Sequence, residues 1–215
     1  MIRFENVSLM SGTTKILEDV SFTVKKGEFV YLVGPSGAGK SSILRLIHFD
    51  LDPTAGTVIV RDVDTNHAPK SSIPLYRRSI GFIFQDYKLL KDKTAFENVA
   101  FALEVTGAKR KTIKQKALQA LTTVGMAHRL KNLPGDLSGG ECQRVAIARA
   151  IVLDPFILLA DEPTGNLDED NAVAIIELLE KINHSGTAVL MATHRKEFAN
   201  RGNSQVISIT DGRTA

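Results

Sequence analysis

Short, almost wholly apolar runs punctuate the chain at Phe29–Val33, Phe156–Ala160 and Ala188–Ala192. Each is too short for a core helix, so each reads as a strand buried on both faces of a sheet. Segments Ile2–Val7, Val20–Val24, Thr57–Val60, Ile80–Phe84 and Val206–Ile209 predict further strands. Lys25-Lys26-Gly27-Glu28 forms a turn before Phe29, and strands so close together predict an antiparallel region near the N-terminus. Helical patterning takes over in the middle. Thr94-x-x-Glu97 is a capping box that opens a helix toward Val105, and a second helix runs from about Thr112 to Val124. A second capping box, Ser138-x-x-Glu141, opens a helix that runs to Leu153 and stops at Asp154-Pro155. Ser41–Ile47, Ala172–Ile182 and Arg195–Asn200 complete the helices. Apolar strands alternating with helices imply an α/β fold with a mainly parallel sheet flanked by helices. Residues 1–86 and 155–215 are expected to form the core. Residues 87–154 form an inserted, mostly helical subdomain, and its stretch from about Tyr87 to Pro134 interrupts the α/β alternation.

Composition narrows the setting. The chain has 215 residues, 43% hydrophobic and 24% charged, which suits one globular domain. Its 27 basic and 24 acidic residues nearly balance, which argues against nucleic acid as a main partner. A single cysteine, Cys142, permits no internal disulfide and fits a reducing, cytoplasmic compartment. The opening Met1–Asn6 has no apolar signal core, and no run approaches the roughly 20 apolar residues of a membrane span. A soluble protein is expected, with any membrane contact made through a partner.

The chemistry begins at Gly34-Pro35-Ser36-Gly37-Ala38-Gly39-Lys40-Ser41, followed by Ser42. This is a P-loop between a predicted strand and a predicted helix, the context the motif requires. Glycines let backbone N–H groups curl around an anion, and the helix N-terminus adds its dipole. Lys40 is expected to reach the β- and γ-phosphates of ATP, and Ser41 Oγ to bind Mg²⁺. Far along the chain, the strand Phe156–Ala160 ends in Asp161-Glu162. Ligands gather at the carboxyl ends of parallel strands, so Asp161 is placed to hold Mg²⁺ and Glu162 to orient the attacking water.

Leu137-Ser138-Gly139-Gly140-Glu141 resembles the signature sequence of ABC-type ATPases. Gln85, Asp161-Glu162, Gly165-Asn166-Leu167-Asp168 and His194 follow the same family's order. The resemblance spans nearly the whole chain. It implies a P-loop NTPase core with an N-terminal antiparallel β subdomain and an inserted α-helical subdomain. It also implies an ATP-dependent homodimer in which each nucleotide lies between one copy's P-loop and the other copy's Ser138–Glu141. Read from its own residues alone, Ser138–Glu141 is no more than a well-capped helix start. By the same resemblance Gln85 touches Mg²⁺ and water, Asp168 signals across the dimer, and His194 contacts the γ-phosphate. His48, His67, His128 and His184 are expected to be structural, and Cys142 to pack rather than react.

Where the family carries an adenine-stacking aromatic, this chain has Ser8–Thr14 with none, which leaves Met10 to lie against the base and GTP open beside ATP. The segments Arg77–Leu90 and Thr94–Val105 resemble the cell-division branch of the family, which works with a transmembrane partner resembling FtsX on the inner face of the cell membrane. Lipoprotein-release and macrolide-efflux motors share much of this pattern, and a soluble regulatory ABC protein is a further alternative. Six of the 13 aromatics fall between Tyr76 and Phe101, as ordinary core or as a groove for a partner's helix. Lys109-Arg110-Lys111 with Lys114 and Lys116 reads as a solvated helix face, with anionic lipid as the other possibility.

Overall fold

The computed structural model describes residues 1–199 and 204–214. The first layer is an antiparallel sheet of β1 (Ile2–Ser11), β2 (Thr14–Val24), β4 (Ala55–Val60) and β5 (Val63–Asp64), in the order β2-β1-β4-β5. β1 and β2 both run longer than their apolar patterns predict. They are carried through polar Ser8, Ser11 and Thr14 by hairpin pairing, with Ser11 opposite Thr14. The second sheet contains β3 (Phe29–Val33), β6 (Ile80–Ile83), β7 (Ile157–Asp161), β8 (Ala188–Thr193), β9 (Gln205–Thr210) and β10 (Arg213–Thr214). Its order is β10-β9-β3-β8-β7-β6, parallel except for the β9–β10 hairpin.

Helices cover the parallel sheet on both sides. They are α1 (Lys40–Ile47), α2 (Ile73–Arg78), α3 (Ala95–Glu104), α4 (Arg110–Thr123), α5 (Gly139–Ile151), α6 (Glu169–His184) and α7 (Lys196–Ala199). The predicted end of the last helix at Asn200 lies outside the described residues. Both predicted capping boxes form: Thr94 with Glu97 at α3, and Ser138 with Glu141 at α5.

Every residue of β3 and β8 is buried, so successive side chains feed two cores. Tyr31, Val33, Leu158, Ala160, Val189 and Met191 join the core beneath α3 to α6. Val30, Leu32, Ile157, Leu159, Leu190 and Ala192 join the core shared with α1 and the antiparallel sheet. Register then fixes where the chemistry falls. Val33 pairs with Thr193, and Asp161 with Ala192, so β3, β7 and β8 end side by side at one edge. The P-loop, the acidic pair and His194 all leave from that edge.

Candidate nucleotide site

The loop after β3 turns sharply into α1 through Gly39, the helix N-cap, at φ 99°. A side chain there is strained, and a Cβ would also lie 2.6 Å from Leu17 Cδ2. At Gly34 the constraint is space: a Cβ would sit 2.2 Å from the Ile209 carbonyl oxygen. No side chain caps α1 and no acidic residue occupies its first turn, which leaves its N–H groups for an anion. A cavity of about 280 Å³ opens here, lined by Ile16, Gly37, Gly39, Lys40, Ser41 and Ser42.

Lys40 is only 6% exposed and its ammonium donates to the carbonyls of Gly34 (2.8 Å) and Pro35 (3.0 Å). It also stands 3.5 Å from Glu162 Oε1. The other oxygen of Glu162 lies 3.0 Å from His194 Nδ1. The Glu162 backbone has φ 47°, an unusual conformation for a non-glycine residue. It is held by N–H donation to the Ala192 carbonyl (3.0 Å) and by the Gly165 N–H on its own carbonyl (3.0 Å). Alongside, Ser41 Oγ donates to Asp161 Oδ1 at 2.9 Å. Burial pushes the Asp161 carboxyl above its ordinary range, and the Ser41 hydroxyl pulls it back. A hydroxyl and a carboxylate side by side form the kind of hard-oxygen pair that Mg²⁺ takes when phosphates supply its other ligands.

Gln85 follows β6, and its carbonyl accepts from Asn166 Nδ2 at 3.1 Å. Among the described residues no hydrogen bond joins the Gln85 side chain to Ser41 or Asp161. Ser138 caps α5: its hydroxyl accepts from the Glu141 N–H (3.2 Å), and Glu141 accepts from the Ser138 N–H (2.9 Å). Arg129 braces Glu141 at 3.0 Å. Gly140 is needed for packing, since a Cβ would meet Asn171 Oδ1 at 2.7 Å. Ser138 and Gly139 are exposed, and no hydrogen bond or ion pair joins Ser138–Glu141 to residues 34–42 among the described residues. Asp168 is exposed and caps α6, accepting from Asn171 N at 2.8 Å. The bonds from Asn171 hold its carboxyl below the usual range.

Met10, predicted to lie against the base, is 37% exposed and does not line the loop cavity; Ile16 does. Sequence reasoning missed Ile16, which carries no motif and lines the cavity only through where β2 runs. It also missed Arg149 of α5. The two terminal guanidinium nitrogens of Arg149 donate to the carbonyls of Lys88 (2.6 Å) and Tyr87 (2.7 Å), clamping the segment after Gln85. Beside that clamp lies a roomier cavity, about 510 Å³, lined by Asp86, Tyr87, Leu89, Lys91, residues 133–136 and Cys142. Of the six aromatics between Tyr76 and Phe101, only Tyr87 lines it; Phe82 stacks on Phe84 and Tyr76 on Phe49. Burial raises the Cys142 thiol, in keeping with a packing role. His48 lies edge-on to Phe82 and burial lowers its pKa, in keeping with a structural role.

Comparison with known proteins agrees with this geometry. Residues 17–165 match the profile of the ABC transporter family. The chain is 49% identical over 203 residues to the cell division ATP-binding protein FtsE of Streptococcus pneumoniae, covering 94% of this chain and 88% of that protein. It is 44% identical over 213 residues to FtsE of Escherichia coli, covering 99% and 96%. Among solved structures it is similar to the dimeric post-hydrolysis state of the ATP-binding cassette MJ0796 bound to ADP and Pi. The TM-score is 0.89 and the identity 35%, covering 100% of this chain and 96% of that one.

Proposed function

The chain belongs to the ABC transporter family, and from that premise we propose that it is the ATP-hydrolysing subunit of a bacterial cell-division complex. One observation carries the reading. At a single sheet edge Lys40 stands 3.5 Å from Glu162, Glu162 3.0 Å from His194, and Ser41 2.9 Å from Asp161. These are the groups that bind a triphosphate and deliver water to it.

Residues 34–39 and the first turn of α1 bind the phosphates through their N–H groups, with Ser42 alongside. Lys40 exchanges the Gly34 and Pro35 carbonyls for β- and γ-phosphate oxygens. Ser41 and Asp161, joined by Gln85, would hold Mg²⁺, which when bound neutralises charge on the phosphate oxygens. Glu162 orients a water and accepts its proton. The water oxygen bonds to the γ-phosphorus, the bond to the β-phosphate oxygen breaks, and ADP and phosphate leave. His194 positions the Glu162 carboxylate and contacts the γ-phosphate. The solved cassette similar to this chain is a dimer holding ADP and Pi. In keeping with it, Ser138, Gly139, Gly140 and Glu141 of a second copy cap the nucleotide in a two-fold pairing, and Asp168 lies at the interface.

The partner is a transmembrane subunit resembling FtsX. No helix among the described residues is long and apolar enough to cross a membrane, so attachment to the inner face of the membrane comes through that subunit. The cavity beside Tyr87, Leu89 and Leu133 is the docking groove, and residues 87–154 act as the lever between it and the nucleotide. The Arg149 clamp supports this, since it ties the groove wall to the helix that Ser138 caps. Lys40→Ala tests the reading. It should weaken ATP and ADP binding about a hundred-fold, the loss of charge-assisted hydrogen bonds to the phosphates; unchanged affinity would refute the loop assignment. Co-purification with the membrane subunit tests the partner. A four-helix subunit with a modest external domain supports cell division, and one with a large periplasmic domain supports export.

A further inference from the structure

Charge is segregated along this chain. Residues 105–135 contain seven Lys or Arg and no Asp or Glu, a net +7. The whole chain has 27 basic and 24 acidic residues, so the remainder holds 20 and 24, a net −4. Two of the seven cations are paired: Lys116 with Asp154 at 2.5 Å, and Arg129 with Glu141 at 3.0 Å. Lys109, Arg110, Lys111 and Lys114 make no ion pair among the described residues, and all four are exposed.

Their place is unfavourable for the fold. Lys109 is the N-cap of α4, and Arg110 and Lys111 stand in its first turn, which has no acidic residue. A helix N-terminus repels cations. The chain's other long helices respect this: α3 opens with Glu97, α5 with Glu141, and α6 with Glu169 and Asp170. One tight turn before Lys109, closed by Gly107 N–H on the Glu104 carbonyl at 2.9 Å, α3 ends in exposed apolar side chains. Val105 is 57% exposed and Phe101, one turn back, 44%. Leu118, four residues after Lys114, is 41% exposed. Glu104, at the end of α3, pairs with none of the four cations among the described residues, and Asp154 is taken by Lys116.

We propose that this tip of the helical region, residues 101–118, contacts the anionic lipid headgroups of the membrane directly, beyond attachment through a protein partner. Unpaired cations beside exposed apolar side chains form the surface an anionic bilayer attracts. The contact needs no nucleotide, so its failure leaves the ATPase reading untouched.

The purified full chain is floated with vesicles of phosphatidylcholine alone, or of equal parts phosphatidylcholine and phosphatidylglycerol. The expected result is binding to the anionic vesicles only, weakened by added salt. Each Lys or Arg at such a surface is worth about five-fold in partition. Replacing all four (Lys109→Gln, Arg110→Gln, Lys111→Gln, Lys114→Gln) should therefore cut binding about a hundred-fold or more. The same variant should melt no lower than the parent chain, since it removes cations from a helix N-terminus. Equal binding to both vesicle types, undiminished binding by the variant, or tighter binding of the same residues to RNA would each overturn the proposal.

Discussion

Glu162→Gln should make the site bind ADP more tightly while destroying hydrolysis. Glu162 Oε1 stands 3.5 Å from the Lys40 ammonium, and both side chains are largely buried, at 13% and 6% exposed. At an effective dielectric of about 20 this attraction amounts to about 5 kcal/mol. Nucleotide must compete with it for Lys40. Part of the attraction survives when ADP is bound, because Glu162 stays nearby. The net gain on removing the charge is therefore smaller, about 1.4 kcal/mol, or ten-fold in Kd. Loss of repulsion between Glu162 and the phosphates acts in the same direction. ADP is the right probe, because it lacks the γ-phosphate that a second copy would cap. Isothermal titration of parent and variant at one salt concentration reads the shift, and steady-state phosphate release should fall at least about a hundred-fold. Unchanged or weaker ADP binding in the variant would refute the competition.

Other outcomes follow from the same geometry. Ser138→Ala should cost about 1 kcal/mol of stability through the lost cap and abolish ATP-driven dimers, whereas Ser138→Asp should keep the cap and still lose the dimer by repelling phosphate; melting curves and size-exclusion chromatography with ATP separate the two. Burial raises the Asp161 carboxyl above its ordinary 3.8, so its stabilising proton uptake is complete below that value and lost as pH climbs through the folded pKa. Asp161→Asn should therefore raise the melting temperature at neutral pH, with the gain shrinking as pH falls toward about 4, while Mg²⁺-dependent nucleotide binding weakens. Arg149→Met should cost about 2 kcal/mol through its two charged hydrogen bonds and reduce partner-stimulated ATPase more than basal ATPase, read in matched assays with and without the membrane subunit.

The central strands were legible because a strand buried on both faces has no polar positions to blur it: β3 matches its prediction at both ends, and β7 and β8 within a residue. The helices α3 and α5 were legible because a capping box is a local signal. Elements without burial escaped. Helix α2 has no buried residue, hence no periodic pattern, and only Pro74 near its start could have marked it. β5 and β10 span two residues each and exist through pairing with β4 and β9. At the site, the meeting of Ser41 with Asp161 was legible from their two motifs, whereas the direct approach of Glu162 to Lys40 was not. Lys40 and Glu162 are brought together by the register of three parallel strands, which no spacing encodes. Ile16 and Arg149 carry no motif; each acts through where the fold puts it.

The most direct measurement is a structure of the Glu162→Gln variant grown with Mg²⁺ and ATP. Two nucleotides should lie between two copies, each with its γ-phosphate touching Lys40 of one chain and Ser138 of the other. Nucleotide bound away from residues 34–41, or bound there with the second copy's Ser138 out of reach, would contradict the account.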